Sequence, residues 1–259
     1  MEIVIRSTSE EVASTVADIV EHHVRRGPTT LGLATGSSPL GSYRELVRRH
    51  HETGLDFSSV RVFLLDEYVG LPKGHEQSYF SVIRSEFVDR VKLDPCRVQW
   101  LDGQAPDLAA EAARYDAAIA EAGGIDVQLL GIGTDGHIGF NEPGSALTSR
   151  TRIKTLTEQT RLDNARYFGS VDDVPHHVLT QGLGTIGEAG HLVLVAVGAG
   201  KADAIAAAVE GPLSAFCPAS VIQLHGHATV VIDEAAAKRL VLSDYYRYAL
   251  RHKPAWQQF

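Results

Sequence analysis

The chain is predicted to fold as a single α/β domain, residues 1–259, with a parallel sheet flanked by helices. Three observations carry that expectation. Short apolar runs of strand length alternate with stretches of helical spacing. Several of those runs end in glycine- or serine-rich turns that lead into the next helix. With 259 residues and 44% hydrophobic content, the chain can bury one large core.

The first strand is Glu2 to Arg6. Ser9-Glu10-Glu11-Val12 then opens a helix with a capping signature, and Gly27-Pro28 ends it. Thr30 to Thr35 reads as a buried strand, followed by Gly36-Ser37-Ser38-Pro39 and a helix carrying Tyr43, Leu46 and Val47. Ser38 is the expected N-cap, with Pro39 in the first turn. Such a turn offers free backbone N–H groups, hydroxyls and the positive end of a helix dipole, all suited to a phosphate. An ordinary capped helix start accounts for the same letters equally well. Val60 to Leu65 is the third strand, and it ends in Asp66-Glu67-Tyr68-Val69-Gly70. Paired carboxylates in a turn are usually solvated, but ligands of parallel sheets bind at the carboxyl ends of strands. Residues 79–91 and 107–122 have helical spacing and read as scaffold.

Ile125 to Leu130 is a short strand leading into Gly131-Ile132-Gly133-Thr134-Asp135-Gly136-His137-Ile138-Gly139-Phe140-Asn141-Glu142-Pro143. Asp135, His137 and Glu142 thus share one strand-end loop. Carboxylates beside a histidine fix its tautomer and raise its basicity, as proton transfer requires. Gly131-x-Gly133-x-x-Gly136 also spells a dinucleotide fingerprint, but Pro143-Gly144 interrupts where a long helix is needed. About 20 positions on stand Arg152 and Lys154 rather than an acid. No nicotinamide or other cofactor is expected.

Thr151 to Thr157 reads as a strand with one cationic face, formed by Arg152 and Lys154. Residues 158–185 are polar and broken by Gly169, Pro175, Gly182 and Gly184, which suggests a mobile lid. The strand His191 to Val197 runs into Gly198-Ala199-Gly200-Lys201 and a helix from Ala202 to Val209. Lys201 opposes the dipole there unless an anion is bound. Ala228 to Ile232 is the last strand, and a partly aromatic stretch from Ala235 to Tyr248 closes the pattern.

A net charge of −8 argues against nucleic-acid binding, so an anionic ligand needs local cations. Cys96 and Cys217, without Cys-x-x-Cys spacing, fit a reduced chain. With no cationic leader and no apolar segment of membrane length, a cytoplasmic protein without membrane contact is expected. None of the twelve histidines shows ligand-like spacing, so no metal is expected.

Four blocks combine these features: Leu33-Ala34-Thr35-Gly36-Ser37-Ser38-Pro39, Asp66-Glu67-Tyr68-Val69-Gly70-Leu71, Gly133 to Pro143, and Ser149 to Thr157. Together they resemble the glucosamine-6-phosphate deaminase family over nearly the whole length. The resemblance implies a modified Rossmann-type sheet and an aldose–ketose isomerisation coupled to ammonia loss, from glucosamine 6-phosphate to fructose 6-phosphate. It implies Asp66 as the proton-transfer base and His137 as the ring-opening imidazole, with Asp135 and Glu142 around it. The sugar phosphate would be held by Thr35, Gly36, Ser37, Ser38, Arg166 and Lys201. Ser37-Ser38 stands where many relatives carry Gly-Thr, and Ala34 where they carry proline, but a hydroxyl donor is kept. Some members are hexamers activated by N-acetylglucosamine 6-phosphate, bound between subunits near residues matching Ser145, Arg152, Lys154 and Tyr245, so a homo-oligomer is expected. Two alternatives are a 6-phosphogluconolactonase-like hydrolase, which lacks the Asp66 block, and a sugar-phosphate-sensing regulatory module, which needs a DNA-binding segment not seen here.

Overall fold

The computed structural model describes every residue except 73, 255 and 258. Its strands are β1 (Glu2–Arg6), β2 (Thr30–Leu33), β3 (Arg61–Leu64), β4 (Asp66–Tyr68), β5 (Val98–Gln99), β6 (Val127–Leu130), β7 (Arg152–Thr155), β8 (His177–Thr180), β9 (His191–Ala196) and β10 (Ala228–Asp233). The helices are α1 (Ser9–Arg25), α2 (Ser37–Thr53), α3 (Tyr79–Ile83), α4 (Leu108–Glu121), α5 (Glu158–Phe168), α6 (Leu183–Gly187), α7 (Ala202–Val209) and α8 (Ser243–Arg251).

Among the described residues, seven strands form one sheet in the order β1-β10-β9-β6-β2-β3-β5, every neighbouring pair parallel. Because side chains alternate along a strand, the sheet feeds two cores. Ile3, Ile5, Leu192, Leu194, Val230 and Ile232 pack with Ala112, Tyr115 and Ile119 of α4 and Ile205 of α7. Val4, Val193, Val195 and Val231 pack instead with Val16 and Val20 of α1 and Tyr43 and Leu46 of α2. This is the doubly covered parallel sheet that the apolar runs announce.

A second, antiparallel sheet of order β4-β8-β7 was not anticipated. It roofs a third apolar cluster of Tyr68, Phe140, Leu156, Val174 and Val178. Its presence narrows the lid expected over residues 158–185. The first part of that segment is α5, which buries only Thr160. β8, by contrast, buries Val178, Leu179 and Thr180, and α6 buries Leu183, Thr185 and Ile186. At Gly182 an added Cβ would lie 2.1 Å from the Ser149 carbonyl oxygen, so that turn is packed into the body. α5 and the loop after it lie outside these buried elements, tied to the third cluster by Val174, Ala165 and Phe168. No helix among the described residues is long and apolar enough to cross a membrane.

Candidate active site

The carboxyl ends of β2, β3 and β6, with the start of α7, surround a cavity of about 470 Å³. Its lining includes Thr35, Gly36, Ser37, Ser38, Asp66, His137 and Lys201, with Asp163, Asn164 and Arg166 of α5 across the mouth.

Asp66 sits where the chain leaves the parallel sheet for the antiparallel one. The adjacent carboxylates have different roles. Glu67 accepts backbone N–H groups from Tyr68 at 2.8 Å and from Tyr79 and Phe80 at 3.0 Å, which fixes the start of α3 against β4. Burial nevertheless raises its pKa, the three donors opposing. Among the described residues the Asp66 carboxyl has no hydrogen bond or ion pair, and it is 5% exposed. Burial first, then the like charge of Glu67, push it up to about 8 against the pull of His137.

The loop after β6 brings together the other three. His137 Nδ1 lies 2.7 Å from Asp135 Oδ1 and 3.6 Å from Glu142 Oε2. Asp135 also accepts the His137 backbone N–H at 3.1 Å, and Glu142 accepts that of Thr157 at 3.3 Å. Burial opposes a charged ring, but the two carboxylates outweigh it and raise His137 to about 9. Burial likewise opposes charge on Asp135, and contact with His137 outweighs it, holding this carboxyl well below the usual range. The ring lies flat against the chain: a Cβ at Gly133 would be 2.3 Å from His137 Cε1. Asp135 and Glu142 stand behind His137 rather than in the cavity, and Nε2 is the nitrogen left to face a ligand.

The donor atoms of Asp135, His137 and Glu142 lie within 4.8 Å of one another, the one such set among the described residues. A histidine raised to about 9 keeps its Nδ1 proton at neutral pH, so a metal ion there must displace that proton.

The far end of the cavity is cationic. α2 begins at Ser37, two residues earlier than expected, with Gly36 at φ 108° as its N-cap. Among the described residues no side chain caps it, so Ser38 is not the cap, and the first-turn N–H groups and both hydroxyls remain for a ligand. Lys201 and Arg166 line the same region, neither in an ion pair among the described residues. Burial lowers the pKa of Lys201, with Asp163 opposing and nearby Arg166 adding to the drop.

Residues 3–231 match the family model described as glucosamine-6-phosphate isomerases/6-phosphogluconolactonase. The chain belongs to this family. A glucosamine-6-phosphate deaminase of Rhodococcus jostii (strain RHA1) is 81% identical over 259 residues, covering 100% of both chains. One from Streptomyces coelicolor is 54% identical, covering 99% of each. A solved structure of a monomeric glucosamine-6-phosphate deaminase aligns with TM-score 0.91 at 42% identity, covering 92% of this chain and 100% of that one. The 6-phosphogluconolactonase of Trypanosoma brucei aligns with TM-score 0.69 at 21% identity, covering 93% and 98%, and shares the fold.

The family resemblance also pointed to Ser145, Arg152, Lys154 and Tyr245. Ser145 is buried, and its hydroxyl donates to the Glu142 carbonyl at 2.7 Å. Arg152 and Lys154 lie on β7, the edge of the small sheet, without an ion pair among the described residues. Arg152 donates to Asn141 Oδ1 at 2.8 Å. Tyr245 is exposed on α8, which packs along β1 at the edge of the large sheet. Within one chain, therefore, Tyr245 belongs to a different edge from the two cations. Sequence reasoning missed Tyr68, Tyr79 and Asn164 as cavity residues. Tyr68 stood beside Asp66 in a recognised block, but no sequence signal marked Asn164.

Proposed function

We propose that this protein converts glucosamine 6-phosphate and water to fructose 6-phosphate and ammonia. The observation carrying this reading is one cavity with an unpartnered, largely protonated Asp66 and a cationic His137 at one end and an anion cradle at the other.

The phosphate is held by the N–H groups and hydroxyls of residues 35–38, with Lys201 and Arg166. That anchors C1 and C2 of the sugar beside Asp66. His137, charged and oriented by Asp135 and Glu142, donates a proton to the ring oxygen as the C1–O bond breaks, and the C1 hydroxyl gives its proton back to the imidazole, leaving the aldehyde. The hydrogen on C2 is now acidic. Asp66 removes it while the C2 ammonium passes a proton to O1, and Asp66 then returns its proton to C1, giving a 2-iminium sugar; water adds at C2 and breaks the C–N bond, releasing ammonia and leaving the ketone. Overall the C–N bond is hydrolysed.

Asp66 must be ionised to begin. In the empty cavity burial keeps it largely protonated, but the amino group on C2 is cationic in water and, bound beside Asp66, favours the carboxylate. An amino sugar therefore activates its own base. Lactone hydrolysis brings no such cation, which favours the deaminase reading over a lactonase, and the 81% and 42% identities to deaminases agree. We place the enzyme in the cytoplasm, where phosphorylated sugars are retained. The test is ammonia release from glucosamine 6-phosphate, with 6-phosphogluconolactone as the competing substrate. Lactone hydrolysis without ammonia release overturns the assignment.

A homo-oligomer activated by N-acetylglucosamine 6-phosphate is the regulatory form of this reading. Arg152 and Lys154, in no ion pair among the described residues, supply a second anion site, and Tyr245 joins it only from another copy. Saturation curves with and without that effector, beside the mass in solution, test it. A monomer with a hyperbolic curve unmoved by effector makes the basic strand structural.

A further inference from the structure

Tyr68 joins α5 to the remainder of the cavity wall. Asn164 of α5 donates its Nδ2–H to Tyr68 Oη at 3.0 Å, and Tyr79 Oη donates to the same oxygen at 3.3 Å. A line of polar groups thus runs from the helix that carries Arg166 to Tyr68 of β4 and Tyr79 of α3. All three residues line the cavity. The Tyr68 ring is fixed by Tyr79, Phe168 and Phe140, with centroids at 5.0, 5.3 and 5.8 Å.

Apart from this line, α5 is seated in its second half by Ala165 and Phe168, which pack against the apolar cluster around Tyr68. It buries only Thr160, and its remaining polar tie to the histidine loop is an exposed contact from Thr134 Oγ1 to Asp163 Oδ2 at 3.4 Å. A hydrogen bond to the 1%-exposed Tyr68 is screened from water and correspondingly stronger.

We propose that Asn164, Tyr68 and Tyr79 are positioning residues whose hydrogen-bond line seats α5 so that Arg166 meets a phosphate bound at Thr35–Ser38 and Lys201. This rests on the phosphate assignment above. Tyr68 and Asn164 need not touch the phosphate; they act through Arg166.

The experiment is a 31P NMR titration of the full chain with inorganic phosphate, on Tyr68→Phe, Asn164→Ala, Arg166→Ala and the two doubles with Arg166→Ala. Tyr68→Phe keeps the ring and its apolar contacts, and Asn164→Ala alters a half-exposed helix position, so one variant stands in if the other does not fold. Tyr68→Phe and Asn164→Ala each weaken phosphate binding about two- to tenfold, the range of one hydrogen bond. In the Arg166→Ala background the same changes have no further effect, since the group they position is gone. A merely structural role lowers Tm without this coupling. Unchanged affinity in both singles, or additive losses in the doubles, overturns the proposal. The titration needs no turnover, so the two readings fail separately. Phosphate binding with no ammonia release overturns the reaction alone, whereas ammonia release with additive affinities overturns the positioning line alone.

Discussion

Replacing Asp66 with asparagine has two opposite consequences. The amide keeps the shape but cannot accept the C2 proton, so ammonia release falls at least about 10²–10⁴-fold. Stability moves the other way. The carboxyl goes from an ordinary 3.8 to about 8 on folding. Between those values the folded chain holds a proton that the unfolded chain has lost, so the wild type is progressively destabilised as pH rises through the window, with the loss complete above 8. From pH 5 to 8.5 that amounts to at most about 4 kcal/mol at 1.36 kcal/mol per pH unit. Water in the open cavity reduces it to about 1–2 kcal/mol. For a chain of this size the asparagine variant therefore gains about 2–8 °C in Tm over wild type between the two pH values. His137, ordinarily 6.5 and raised to about 9, titrates in both proteins and largely cancels in the comparison. Thermal melts at pH 5 and 8.5 beside an ammonia assay measure both effects. A Tm difference independent of pH refutes the buried, protonated carboxyl, and near-wild-type turnover refutes the base.

Lys201→Ala and Arg166→Ala each raise KM about 10- to 100-fold with much smaller changes in kcat, because they hold a phosphate that does not react; steady-state kinetics that leave KM unmoved relocate the anion site. Glu67→Gln removes the like charge beside Asp66, so the ascending limb of the pH profile of kcat/KM shifts to lower pH; a limb that stays in place separates Asp66 from that titration. Gly133→Ala drives a methyl into the His137 ring, 2.3 Å from Cε1, and turns it off its carboxylates. Its NMR-titrated pKa then falls from about 9 toward 6.5, and an unmoved value shows that the loop absorbs the methyl.

The strands of the large sheet were legible where burial on both faces leaves uninterrupted apolar runs, as in β9 and β10. β5 has two residues, and β8 is four residues between polar segments, too short for a period to show. Asp66 and His137 were legible because strand-end loops expose chemistry-bearing residues in a compact block. The N-cap of α2 was misassigned because Ser38 is a good cap by type, whereas Gly36 can take the φ of 108° that opens the turn. Asn164 was hidden because its partner Tyr68 is 96 positions away, a pairing that only the folded chain creates.

Asp66 stands at a seam. Just before it, the Leu65 N–H donates to Leu33 O in the parallel sheet, and Leu65 O accepts the Gln181 N–H, both at 2.9 Å. Asp66 itself is already paired with Thr180 in the antiparallel sheet. Two independent hydrogen-bond networks therefore grip consecutive peptides, and the main chain has no slack in either direction. A longer acid at this position cannot be accommodated by letting the backbone retreat, and its extra methylene has only the cavity to enter. The chain thereby fixes not just which group faces the sugar but how far into the site it reaches.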